Sequence, residues 1–335
     1  MGTLSLWAVL CESKRIINAH SRHFLALSVI FLLPLSFSLI VSPTLLLLFD
    51  PTTPTNSTNS RLHVLLRLTT STSHHTHHHH NQPHPDITLN SLIFPICFSL
   101  FLFLTSLCAL SSITHSVLHG FFGRPVKLPS ALLSILSSFL PLITTHIFSQ
   151  FLLLLPTLPL LFIRPPSPSS PLIQTFLYFF LVIVLIILLV NLRISWTLAP
   201  VIAVAESSYA LRPLLRSTAL VRSMKTLAAS TILFFGLLEG LLLWSSSVFI
   251  STGGGVGAWW KDWAVVLQIV LTSTTLMVLM LYHTAADTVL YMYCKAVHGE
   301  LAVEIAEEFA REYVSLPYDE EKVPHVVSVV PHVSV

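Results

Sequence analysis

Charged side chains are scarce in this chain. Asp, Glu, Lys and Arg make up 10% of its 335 residues, where an ordinary soluble domain carries roughly 25%. Too little polar surface is left to cover a single globular core of this length, which excludes a soluble enzyme. A basic excess is missing as well: the formal net charge is +2, unlike the strongly positive balance of nucleic-acid binders. Cysteine is rare. Cys11, Cys97, Cys108 and Cys294 have no zinc-type pair spacing and are too few for a disulfide framework. Catalytic motifs are missing too: no paired-carboxylate spacing, Gly-x-Ser-x-Gly, His-Glu-x-x-His or Walker sequence occurs. No enzyme activity and no cofactor is therefore expected.

What is abundant is apolar. Hydrophobic residues make up 53% of the chain and the mean hydropathy is +0.79. A helix crosses about 30 Å of hydrocarbon with about 20 apolar residues. Six segments meet that requirement: 24–49, 91–113, 131–163, 172–192, 227–251 and 264–286. Pro34 and Pro43 predict kinks in the first. Pro141, Pro156 and Pro159 predict that the long third segment bends or ends in an interfacial turn. The expected fold is all-α, a polytopic six-helix transmembrane bundle over 24–286. A polar lead-in, 1–23, precedes it and an acidic tail, 287–335, follows.

Orientation follows from Lys and Arg. With an inner amino terminus, every basic residue except Arg61, Arg67, Arg164 and Lys261 falls on the inside. Both termini are thus expected in the cytosol, in the endomembrane system or the plasma membrane. Asn56, in the one glycosylation sequon, falls on the outer side. Segment 3–20 has the pattern of an interfacial helix with Leu4, Trp7, Ala8 and Cys11 on one face.

The outer loop 50–90 is Thr/Ser/Asn-rich and expected to be disordered. It holds His74, His75, His77, His78, His79 and His80, neutral imidazoles that are weak metal candidates. Nothing nearby supplies fixed geometry, so no metal site is expected. Inner loop 206–226 is basic and amphipathic. Leu214, Leu215, Leu220 and Val221 are expected to face acyl chains while Arg212, Arg216, Arg222 and Lys225 reach lipid phosphates. Cys294, just past the last span, is a candidate for reversible palmitoylation.

The tail inverts the charge, with eight acids against Arg311 and Lys322 over 300–322. Val297, Leu301, Ile305, Phe309 and Tyr313 recur every four residues, so 288–314 is expected to continue the sixth span as a cytosolic helix. Its acidity suits a cytosolic protein partner rather than an anionic leaflet.

Two ionisable residues fall mid-span. Glu239 lies within 227–251 and His146 within 131–163. A charge there costs about 2.5–3.5 kcal/mol on insertion scales, so Glu239 is expected neutral or paired. His146 is the expected partner, with Gly236 and Gly240 allowing close helix approach. No second carboxylate falls inside a segment at that depth, which favours a structural hydrogen bond over an ion path.

Three stretches carry a resemblance: Ser13-Lys14-Arg15-Ile16-Ile17-Asn18-Ala19-His20-Ser21, Ala203-Val204-Ala205-Glu206-Ser207-Ser208, and Tyr293-Cys294-Lys295-Ala296-Val297-His298-Gly299-Glu300. They resemble an uncharacterised plant family of six-pass membrane proteins, whose members are sometimes labelled as partners of a polyadenylate-binding protein. More distantly, Glu206 with Arg216-Ser217 and Leu220 resembles the membrane domain of some bacterial glycerophosphodiester phosphodiesterases. The Gly usual near Ser223 and the hydrolase domain are missing. The resemblance implies a lipid-facing fold and no catalytic residue. The expectation is a non-enzymatic scaffold, adaptor or membrane-organising protein with the bilayer as its first partner. The alternative is a small-solute, ion or lipid transporter using His146 and Glu239.

Overall fold

The computed structural model describes residues 5–49, 89–158, 172–252 and 263–314. They form helices and turns, with no strand among the described residues. Six helices are long and apolar enough to cross a membrane: Ser21–Pro43, Ile93–Phe121, Leu128–Thr157, Ile173–Ala205, Lys225–Val248 and Trp263–Val297. The chain is an all-α integral membrane protein. The chain divides into two units, Met1–Cys294 and Lys295–Val335.

In the first unit, α1 (Leu6–Ala19) starts where the Ser5 hydroxyl accepts a hydrogen bond from the Ala8 N–H, an N-cap. It buries Val9, Ser13, Ile16 and Ile17. Of the face expected to be interfacial, Trp7 is 73% exposed and Cys11 exposed, Ala8 is partly covered, and Leu4 lies outside the described residues.

After His20 the chain enters α2 (Ser21–Leu27), which runs through a π-turn, Ser28–Leu32, into α3 (Leu33–Phe49). The π-turn sits where Pro34 would otherwise clash with the carbonyl of Ile30 four residues back. The irregularity predicted from Pro34 therefore appears just upstream of it, while Pro43 lies inside α3.

α4 (Leu89–Phe121) and α5 (Leu128–Leu154) pack through small residues. Ala109, Ser112 and Ser116 on one helix and Ala131, Ser134 and Ser138 on the other are all buried. Small side chains let two membrane helices approach, since lipid gives no hydrophobic drive between them. Most of these hydroxyls donate back to their own helix, as Ser116 does to the Ser112 carbonyl, while Ser111 reaches across to the Ser134 carbonyl at 3.5 Å. Pro129 opens α5, and a 3-10 turn, Leu155–Thr157, closes it at Pro156.

α6 (Leu172–Ser195) is the least covered span. Ile173 and Phe176 are over 80% exposed, a surface that only hydrocarbon solvates favourably. Its continuation was not expected from the sequence. A short helix, α7 (Ala199–Ala205), buries Val201, Ile202 and Ala203 against α4 and α5, where Leu107 and Leu142 meet Ala203 and Val204.

A tight loop follows, with Ser207 and Ala210 at positive φ (47° and 56°), a strained region for residues with a Cβ. α8 (Leu211–Val221) then packs against α5, α6 and α7. α9 (Lys225–Thr252) and α10 (Trp263–Val297) complete the bundle, and Val265, Ile269 and Leu276 of α10 pack on Ile40 and Val41 of α3.

The second unit holds α11 (Glu300–Val314). The expected unbroken helix over 288–314 is corrected here: Gly299 takes φ +77° and ends α10, as a C-terminal cap requires of a residue without Cβ. Within this unit Lys295 Nζ lies 2.6 Å from Glu304 Oε2, tying the residues before the break to the first turns of α11.

Candidate intramembrane site

Glu239 sits on α9, fourteen residues from the helix start at Lys225, about 21 Å along the axis. His283 sits on α10 fourteen residues before Val297, at a matching depth. His283 Nδ1 is 2.9 Å from Glu239 Oε1. The other ring nitrogen, Nε2, faces Asp287 Oδ2 at 3.6 Å. His283 and Asp287 are one turn apart on α10, so helix periodicity puts them on one face. Phe235, one turn before Glu239, stacks on the imidazole with centroids 4.8 Å apart and planes 7° from parallel. The ring is thereby fixed in orientation between two carboxylates.

All three ionisable side chains are mostly enclosed: His283 28%, Glu239 21% and Asp287 17% exposed. The Asp287 Oδ1 atom is buried with no hydrogen-bond partner. Where Glu239 is ionised it only accepts, and Nδ1 then carries the proton of that bond. The bare Nε2 of a neutral ring would then face a second acceptor. One more proton, on Nε2 or on Asp287, turns that opposition into an attraction. The three groups thus form a linear bridge whose net charge changes with each proton it holds or releases.

The two ring nitrogens point to opposite sides, so the donors do not converge on one centre. No group of three His, Cys, Asp or Glu suited to a metal ion occurs among the described residues.

The expected His146–Glu239 pair is corrected by this geometry. His146 lies on α5, half-buried, with Nε2 3.3 Å from Gln150 Nε2 one turn on and its ring against Phe103 of α4. Glu239 takes its partner from α10 instead. The expected absence of a second carboxylate is corrected as well. Asp287 is that carboxylate, one residue past the expected end of the sixth span at 286; the helix runs on to Val297. The signal available in the sequence was the i, i+4 spacing of His283 and Asp287. Gly236 and Gly240 do not mediate close approach either. A Cβ added at each meets nothing within 4 Å.

The basic segment 206–226 divides. Arg212, Arg222 and Lys225 are exposed and remain phosphate-contact candidates. Arg216 is engaged: its Nε lies 2.6 Å from Glu206 Oε1, which also accepts from the Tyr291 hydroxyl at 2.9 Å. The neighbouring Ser217 hydroxyl donates to the Ser195 carbonyl at 2.7 Å. Glu206 thereby ties the end of α7 to α8 and α10 and holds the strained loop. Leu214, Leu220 and Val221 were expected to face lipid but are buried against the bundle; Leu215 alone of the four is exposed. The amphipathic helix turns its apolar face to protein because α5, α6 and α7 already offer an apolar surface there.

Cys294, the palmitoylation candidate, is 1% exposed, with Sγ 3.8 Å from Met224 Sδ. Its thiol faces the core, which opposes acylation in the folded protein. Asn56 and the six histidines from His74 to His80 lie outside the described residues.

Comparison with known proteins finds the family described as Domain of unknown function (DUF8558) over residues 1–321. No curated protein matches, and no solved structure does.

Proposed function

The chain belongs to the DUF8558 family, which lends it no activity, and from its own residues we propose proton-linked transport across the membrane. One observation carries the reading: the imidazole of His283 bridges Glu239 and Asp287 at membrane depth, leaving a buried carboxylate oxygen unpartnered. Ionisable groups inside a bilayer are costly and mark ion or proton paths. With both carboxylates ionised and the ring doubly protonated, the cluster carries one net negative charge. Binding one proton neutralises it, which removes most of the cost of exposing it to hydrocarbon during a helix movement. No covalent chemistry is part of the reading. The protein is read as multi-pass, both ends cytosolic by the distribution of Lys and Arg, in the endomembrane system or plasma membrane.

The test uses the proton as its own probe. Full-length protein is placed in liposomes holding a pH-sensitive dye, and a potassium-valinomycin potential drives proton entry. Wild type is expected to acidify the lumen faster than Glu239→Gln, Asp287→Asn and protein-free liposomes. Equal rates in all four overturn the reading.

A scaffold or adaptor role is the second reading, supported by the acidic α11, where Glu307 is exposed and the stripe residues Leu301 and Ile305 are only partly covered. It places a cytosolic protein partner on the tail. Proximity labelling from the carboxyl end, compared with a chain ending at Gly299, tests it: partner labelling lost on truncation supports it, and an unchanged set contradicts it.

A further inference from the structure

A second feature of the first unit is a lateral groove between α1 and the α9–α10 pair. It encloses about 670 Å³ and its lining is almost wholly apolar. On α1 the lining residues are Trp7, Leu10, Cys11 and Lys14, the i, i+3, i+4, i+7 positions of one helix face. The opposite wall includes Phe235 and Leu238 of α9 and Val278 and Tyr282 of α10. Thr274 and Thr275, also in the wall, donate their hydroxyls to their own helix, to the Val270 and Leu271 carbonyls. Those two hydroxyls are thereby engaged within α10.

Lys14 is the one cation of the lining. Its neighbour Arg15 is paired with Glu12, whereas Lys14 is exposed and makes no ion pair or hydrogen bond among the described residues. A long apolar trough with an uncompensated ammonium at its rim complements one chemical class: an apolar chain ending in an anionic head. Lys14 also lies on the side to which the positive-inside distribution assigns the cytosol, where anionic phospholipid is concentrated.

We infer that this groove is a binding site for an anionic glycerophospholipid of the cytosolic leaflet. One acyl chain lies along Leu238 and Val278, and the phosphate meets Lys14. The ammonium supplies selectivity, and the trough supplies residence through buried chain. Trp7, 73% exposed at the edge, adds an amphipathic ring of the kind that settles at headgroup level. This inference does not rest on proton-linked transport; Phe235, which stacks on His283, also lines the groove.

Photocrosslinking of the full chain tests it. The protein is reconstituted in phosphatidylcholine vesicles containing traces of diazirine-labelled phosphatidic acid or phosphatidylcholine, and crosslinked peptides are mapped. Wild type is expected to favour the anionic probe on α1, α9 and α10 groove peptides by about fivefold, the effect of one basic residue near an anionic headgroup. Lys14→Gln is expected to abolish that preference while zwitterionic labelling persists; Lys14→Arg is expected to keep it. Val278→Trp, which fills the trough, is expected to lower labelling by both probes, and Leu238→Trp is the second filling variant should the first not elute as a monodisperse species. Equal labelling by the two probes in wild type overturns the inference. So does a preference that survives Lys14→Gln, or groove labelling untouched by the folded filling variant.

Discussion

His283 lends one ring nitrogen to Glu239, 2.9 Å away on a neighbouring helix, and the other to Asp287 one turn along its own. Both carboxylates therefore face the same imidazole, one within hydrogen-bond distance and one at 3.6 Å, so a change of proton on either alters what the other sees. The Glu239–His283 contact joins α9 to α10 at membrane depth. A double-mutant cycle of Glu239→Gln and His283→Gln should report a coupling of about 1 kcal/mol, in the range of interhelical polar contacts in membranes. Reversible unfolding in mixed micelles measures it. Strict additivity would mean that the two side chains do not interact.

Glu206 concentrates two bonds on one oxygen, from Arg216 and Tyr291. Glu206→Ala is expected to destabilise by about 2–3 kcal/mol, since it removes the charge-assisted bond from Arg216 and the bond from Tyr291 together. Tyr291→Phe removes one bond and should cost about 1 kcal/mol. Thermal unfolding followed by tryptophan fluorescence gives the order: Glu206→Ala well below Tyr291→Phe, and Tyr291→Phe just below wild type.

Glycines divide by what surrounds them. A Cβ at Gly120 would stand 2.9 Å from Ile16 Cγ2, so Gly120→Ala should loosen α1 and cost about 1 kcal/mol, with Ile16→Ala in the same chain recovering part of the loss. At Gly236 and Gly240 the space is open, and Gly→Ala there should be neutral or stabilising by up to about 1 kcal/mol. Thermal midpoints of the four variants decide. A severe loss at Gly236 or Gly240 would restore them as helix-contact residues.

Cysteine accessibility should follow burial. Cys11 is exposed and Cys294 buried. A maleimide applied to the folded protein should label Cys11 quickly and Cys294 only after unfolding. Acyl-biotin exchange should find no thioester at Cys294. A palmitoyl group at that position would show that the α10 end opens in the membrane.

The six spans were legible because the chain puts almost no charge in long apolar runs such as 172–192, and hydrocarbon tolerates little else. Glu239 was legible for the same reason, as a lone acid in such a run. Its partner was not. Pairing between α9 and α10 depends on how the helices pack, which neither periodicity contains. The hydropathy of α10 falls at His283 and Asp287, so a span ended at 286 cuts the site in two. α7 escaped notice because seven residues are too few to show a helical period. The apolar face of α8 was visible, but periodicity cannot tell a face turned to lipid from one turned to protein. Glu206 and Ser217 drew notice through resemblance, while Arg216 and Leu220 also stood out in the amphipathic pattern of 206–226; their contacts give the resemblance a physical content: an ion pair, a hydroxyl–carbonyl bond and a buried side chain at a strained turn.

The central claim is that the cluster on α9 and α10 takes up and releases a proton within the bilayer, and a hydrophobic carbodiimide reads that state most directly, because it modifies carboxyl groups only when they hold a proton in an apolar setting. Treating the reconstituted protein with dicyclohexylcarbodiimide across a pH series, with adducts mapped by mass spectrometry, should place the adduct on Asp287 or Glu239, its yield falling as pH rises, and His283→Gln should change that profile. Absence of an adduct on both carboxyls at every pH, or a yield indifferent to pH, would contradict the account.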